Sequence, residues 1–249
     1  MKTAQDFMLE IPVLKYNDGI TKARQILRDD RFREVYVTSA RKTLAGYVDI
    51  MDALKVTATK SNVTIEGFVK DAACVNPADP IEHVAKMMRK FHTDSAAVLD
   101  PGRHILGGVL LSDLFPVIIS RNELTGRVQE RMSRSVVTAG PTDTIQKIYT
   151  KMIESGFSAF PVVKKGRILG IISRRDLISS RSVRSALATH AHRQIGEIMT
   201  KEVISTAPWE DIREAAELMV RHDVSRLPVI DGDVLVGIVD RHDALGGLA

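Results

Sequence analysis

The chain has 249 residues, 44% hydrophobic and 27% charged, with a formal net charge of +4 and a pI near 9.2. That balance excludes a disordered chain and supplies a core for one large or two ordinary domains. The mild basic excess permits an anionic partner but does not require nucleic acid, whose footprint is Lys/Arg concentrated on one face.

Cys74 is the only cysteine, so no intrachain disulfide forms, which fits a reducing cytoplasm. No apolar run follows Lys2 as a signal peptide would require, and none approaches the ~18 residues that cross a bilayer.

The same plan recurs four times along the chain. Each copy opens with a short extended piece: Ile11–Leu14, Ala73–Val75, Val136–Thr138 and Val203–Ser205. An amphipathic helix follows, with apolar residues at i, i+3, i+4 and i+7. They are Ile81, Val84, Ala85 and Met88 in repeat 2; Ile145, Ile148, Tyr149 and Met152 in repeat 3; Ile212, Ala215, Ala216 and Met219 in repeat 4. Repeat 1 carries the weaker set Ile20, Ala23, Ile26 and Leu27. Asp79, Asp143 and Glu210 fall at or near the helix starts, where a carboxylate suits exposed amides.

Two strands joined by a tight turn come next. Asp231-Gly232-Asp233, Lys164-Lys165-Gly166 and Asp100-Pro101-Gly102 are hairpin signals, whereas repeat 1 has Ser39-Ala40-Arg41-Lys42 without glycine. Each copy closes on a frame of fixed length, a glycine followed six positions later by an aspartate that starts a second helix. The frames are Gly46…Asp52, Gly107…Asp113, Gly170…Asp176 and Gly237…Asp243. The spacing predicts β-α-β-β-α units, a mixed α/β (α+β) architecture. A unit of about 60 residues buries too little surface alone, so the repeats are expected to pair. The pairs are 1–122 (repeats about 5–57 and 64–118) and 123–249 (repeats about 128–181 and 195–248), with a basic helix over about 179–195 joining the last two repeats.

A strand running into a helix N-terminus presents amides and a positive dipole end. In repeat 3 that junction carries Ser173, Arg174, Arg175 and Asp176. The aspartate can accept from two ribose hydroxyls and the arginines can pair with phosphate. Ser-x-x-Asp is equally a helix-capping sequence that needs no ligand, and Asp240…Asp243 and Asp49…Asp52 read the same way.

The tandem β-α-β-β-α units, the strands Phe160-Pro161-Val162-Val163 and Leu227-Pro228-Val229-Ile230, and the Gly-x-x-Ser/Asp-x-x-Asp frames together resemble the cystathionine-β-synthase (CBS) domain family. The resemblance covers the whole chain as four CBS repeats, hence two CBS-pair (Bateman) modules, like free-standing archaeal and bacterial sensor proteins. It implies a non-catalytic regulator that binds AMP, ADP, ATP or S-adenosylmethionine in clefts between paired repeats and signals to a protein target by population shift.

Carried onto this chain, one cleft would join Ser173, Arg174 and Asp176 to Val203, Ile204, Ser205, Ser225 and Arg226. The reciprocal cleft would join Asp240 and Asp243 to Thr138, Phe157, Ser158 and Ala159, and its second carboxylate would repel a polyphosphate but not a sulfonium. Asp52 and Asp113 mark weaker sites, because Asp49 and Leu110 replace the serine.

Exposed module faces imply a homodimer. Alternatives are an S-adenosylmethionine sensor and a nucleic-acid-binding regulator using the basic 174–193 region, with Arg181, Arg184 and Arg193. No Walker loop, no GxGxxG helix opening and no thiolate or histidine cluster points to catalysis or a metal.

Overall fold

A computed structural model describes residues 1–27, 31–49, 52, 56, 63–121, 124–179 and 193–248, with the side chains of 175, 178 and 179 excepted. The chain packs as two compact units, Met1–Asn122 and Glu123–Ala249.

The first unit holds β1 (Val13–Lys15), α1 (Ile20–Ile26), β2 (Glu34–Thr38) and β3 (Leu44–Asp49). It continues with β4 (Cys74–Val75), α2 (Ile81–Phe91), β5 (Ser95–Leu99), β6 (Ile105–Leu110) and α3 (Leu111–Arg121). Two three-stranded sheets result, β1-β2-β3 and β4-β5-β6. In each the first strand runs parallel to the second and the second antiparallel to the third. The parallel pair is bridged by the helix, the usual crossover between parallel strands.

The second unit holds α4 (Val128–Arg131), α5 (Ile145–Ser155), β7 (Ala159–Lys164), β8 (Arg167–Ser173), α6 (Arg174–Ser179), α7 (Ile212–Arg221), β9 (Arg226–Asp231), β10 (Val234–Asp240) and α8 (Arg241–Leu245). Its strands form one sheet in the order β7-β8-β10-β9. The expected opening strands at 136–138 and 203–205 do not form. Each contracts to a single parallel bridge one residue later, Ala139 with Val162 and Thr206 with Val229. The Thr138 carbonyl accepts from the Lys151 ammonium on α5, at 2.6 Å.

The helices sit where the apolar spacing puts them. Ile81, Val84, Ala85 and Met88 are fully buried, as are Ile212, Ala215, Ala216 and Met219. The acids ahead of the helices act one step earlier than expected. Asp79 and Asp143 accept from the amides of Asn76 (2.7 Å) and Gly140 (2.8 Å), closing the turn that precedes each helix. The cap of α5 is Thr144, whose hydroxyl accepts from the Lys147 amide at 3.2 Å. The glycine-free hairpin of repeat 1 closes with Lys42 at φ 62° and a 2.8 Å bond between the Ser39 and Thr43 hydroxyls.

The feature that joins the repeats of a unit is an exchange of lead-in segments. The segment ahead of repeat 1 pairs with repeat 2 at Leu9–Gly108, and the segment ahead of repeat 2 pairs with repeat 1 at Lys70–Tyr47. The second unit repeats this with Ser133–Ile238 and Thr200–Ile171. Both bonds of each exchanged pair are formed, Thr200 N to the Ile171 carbonyl and Ile171 N to the Thr200 carbonyl, each at 2.9 Å.

The frame glycines lie under these crossings. A Cβ on Gly170 would stand 2.7 Å from the Thr200 carbonyl oxygen and one on Gly237 would stand 2.5 Å from the Met132 sulfur; Gly46 and Gly107 meet the crossing segments in the same way. The glycine of the repeated frame is therefore a requirement of close approach between repeats.

Candidate functional site

The repeat-3 frame runs off β8 into α6. Ser173 donates to the Asp176 carboxylate through both its amide and its hydroxyl, each at 2.7 Å. The capping arrangement is thus made, and it fixes the carboxylate at the helix start beside the Ser173 hydroxyl. Arg174 is buried, and its amide donates to the Ser158 carbonyl at 2.8 Å. Cross-strand register sets Ala159 opposite Ser173.

Repeat 4 has the same build. Arg241 N donates to the Ser225 carbonyl at 3.2 Å, and register sets Arg226 opposite Asp240. The two halves meet where the Arg226 guanidinium donates to the Ser158 hydroxyl at 3.1 Å. Ser158, Ala159, Ser173 and Arg174 are thereby linked in one repeat, Ser225, Arg226 and Asp240 in the other, and Arg226 connects the groups. Thr138, Val203, Ile204 and Ser205 line the partly buried lead-in to the opening bridges of the two repeats, and Phe157 is exposed.

The repeat-4 frame is electrostatically different. Asp240 and Asp243 cap each other, Asp243 N to Asp240 Oδ1 at 2.9 Å and Asp240 N to Asp243 Oδ2 at 3.0 Å. Burial first, and then the Asp240 charge, push the Asp243 carboxyl up to about 6.

In the first unit the equivalent places hold other chemistry. Asp52 is almost fully buried, and the Lys70 ammonium lies 2.6 Å from it and 2.6 Å from Asp49. Burial alone would lower the Lys70 pKa; the two carboxylates overcome it and raise it. Asp113 is exposed and accepts from the Ser112 hydroxyl at 3.3 Å.

Where β9 begins with Arg226, β2 begins with Glu34, a buried acid that accepts from the Asp94 amide (2.9 Å) and the Ser95 hydroxyl (2.8 Å). Tyr36 OH shares that serine at 2.8 Å, and Arg33 pairs with Asp94 at 2.9 Å. Burial, reinforced by the Asp94 charge, raises the Glu34 carboxyl to about 7.

Sequence reading missed Lys70 and Glu34 as members of these places. An acid at the strand start where repeat 4 has a cation and repeats 2 and 3 have Ser95 and Ala159 was the available signal for Glu34. Residues 180–192, with Arg181 and Arg184, lie outside the described residues. Among the described residues no cluster of His, Cys, Asp and Glu could hold a metal, and no helix is long and apolar enough to cross a membrane.

The comparisons agree with this architecture. Protein MJ1225 from Methanocaldococcus jannaschii, proposed as an archaeal homologue of g-AMPK, is 26% identical over 98% of this chain and 97% of its own. Its crystal structure matches with a TM-score of 0.78 over 98% of this chain and 99% of that one, at 18% identity. An uncharacterized conserved protein from Pyrococcus horikoshii matches with a TM-score of 0.70 over the full length of both chains, at 20% identity. The CBS domain-containing protein YhcV from Bacillus subtilis is 35% identical over 49% of this chain and 82% of its own.

The CBS domain family matches residues 65–120, 126–182 and 195–249, more than half of the chain. Repeat 1 lies ahead of these matches, but its sheet β1-β2-β3 has the order and strand directions of β4-β5-β6. The tandem repeats, the crossed lead-in segments and these matches place the chain in the CBS domain family.

Proposed function

We propose that the second unit binds an adenosine-type ligand at the repeat-3 frame and that the chain is a non-catalytic sensor in the cytoplasm. The observation that carries this is the convergence on one junction of a helix start, the Ser173 hydroxyl with the Asp176 carboxylate, and the Arg226 guanidinium held through Ser158 from the partner repeat. A cis-diol needs acceptors, a phosphate needs a guanidinium, and both are supplied within one hydrogen-bonded set. Ligand bound there contacts both repeats, so it favours one relative arrangement of the two, which a protein target or a second copy of the chain reads.

AMP, ADP or ATP suits the Ser173–Asp176 side. The mutually capping Asp240 and Asp243 favour a cationic group in the reciprocal position, so S-adenosylmethionine is the second reading there.

Calorimetric titration with AMP, ATP and S-adenosylmethionine tests the assignment. Asp176→Ala is expected to abolish binding of one equivalent and to cost about 1 kcal/mol of stability through the lost cap; Asp52→Ala is expected to leave binding intact. Undiminished binding by Asp176→Ala overturns the site. Oligonucleotide binding that falls steeply with salt would favour the basic 174–193 region instead.

A further inference from the structure

The four frames share one sequence plan, yet one of them is already occupied by the chain itself. Lys70 belongs to the lead-in segment that crosses onto β3 beside Gly46. At the same register the other three crossings carry Leu9, Ser133 and Thr200, none of which is a cation. Only in repeat 1 does the crossing segment therefore deliver an ammonium to the frame, 2.6 Å from both Asp49 and Asp52. The pairing is not a solvated surface contact on both sides, since the Asp52 side chain is 4% exposed and that of Lys70 44%. A buried carboxylate with an ammonium 2.6 Å away is matched in charge, and a ribose diol would have to displace the cation and leave a buried charge unmatched.

We propose that Lys70 is a tethered occupant of the repeat-1 frame, holding the Asp52 carboxylate in place of a ligand and withdrawing that frame from ligand binding. The inference rests on the adenosine reading for what the vacated frame would take, and on geometry alone for the occupancy. A further consequence of the same residues is that the tether is covalently part of the segment that locks repeat 2 to repeat 1, so occupancy and the exchange of lead-in segments are one structure. Tyr47 lies beside it on β3, Lys70 N to Tyr47 O and Tyr47 N to Lys70 O each at 2.9 Å, which fixes the backbone from which the lysine reaches.

Two measurements test it. On the native chain, acylation by an amine-reactive reagent, read residue by residue by mass spectrometry, reports how tightly Lys70 is held. Each unit of raised pKa removes about tenfold of the reactive neutral amine, so Lys70 is expected to react at least about tenfold more slowly than exposed Lys42, and Asp49→Asn/Asp52→Asn is expected to erase that protection. Equal reactivity in the native chain overturns the occupancy. The second measurement is calorimetric titration of Lys70→Met with adenosine, AMP and S-adenosylmethionine. One additional equivalent of an adenosine ligand is expected, removed again by Asp52→Asn in the same background.

Binding that Asp176→Ala abolishes, in a protein where Lys70→Met adds nothing, overturns the tether and leaves the ligand reading standing. An added equivalent in Lys70→Met, without binding in the second unit, does the reverse. No binding in either variant overturns both.

Discussion

Glu34 shows how one residue sets the character of a whole repeat pair. It stands at a strand start where the other unit has Arg226, and its oxygens are held by the Asp94 amide and the Ser95 hydroxyl. Its carboxyl is raised to about 7 in the fold, against about 4.3 in the unfolded chain. The folded state therefore binds the extra proton between those values. The contribution of Glu34 to stability is greatest below about pH 4, falls as pH rises toward 7, and levels off above it. Glu34→Gln is expected to flatten that slope, by up to a few kcal/mol between pH 5 and 8, in urea unfolding at several pH values; an unchanged slope would show that other groups dominate.

The frame glycines make a second residue-scale prediction. Gly170→Val drives a side chain into the Thr200 carbonyl and Met199, and is expected to cost about 1–3 kcal/mol. Gly67→Ala meets nothing within 4 Å and is expected to be near neutral. Denaturation midpoints of the two variants check the contrast.

At the scale of elements, much was legible because it is local. Helix faces follow from i, i+3, i+4, i+7 spacing, and Ile81, Val84, Ala85 and Met88 are all buried where that spacing puts them. Hairpins follow from turn residues. The frame itself was visible as a repeat, but the reason for its glycine was not, since the atom it avoids belongs to a segment tens of residues away. The same holds for Lys70 on Asp49 and for Arg226 on Ser158, which are 21 and 68 residues apart. Contacts at such separations obey no sequence period. The opening pieces at 136–138 and 203–205 read as strands from their β-branched residues, but the rung that Ala97 makes to Ala73 in repeat 2 falls to Pro161 and Pro228 here, and a proline has no N–H to donate. The exchange also predicts that residues 124–192 expressed without repeat 4 remain largely unfolded, because Ile171 has lost Thr200 and the crossing has nothing to pair with. Circular dichroism of that fragment, alone and mixed with residues 193–249, checks this; a cooperative transition of the lone fragment would contradict it.

For the whole molecule, the two compact units are the natural pieces. Every crossing bridge among the described residues closes within its own unit, Leu9–Gly108 and Lys70–Tyr47 in the first, Ser133–Ile238 and Thr200–Ile171 in the second. Met1–Asn122 and Glu123–Ala249 are therefore each expected to fold alone with a single cooperative transition. Calorimetric scans of the separate pieces test this. An adenosine ligand is expected to raise the melting temperature of the second piece and leave the first unmoved, as mass action on one binding unit requires.

The reciprocal crossings also set a timetable for synthesis. As the chain leaves the ribosome, repeat 3 is complete in sequence by about residue 179, yet its β8 edge waits for Thr200, and the segment at Ser133 waits longer still for Ile238. A nascent repeat thus carries an open sheet edge for the time it takes to make the next one. Repeats in this architecture are born in debt to a successor, and a chain ending on an odd one would have to take its missing segment from another molecule.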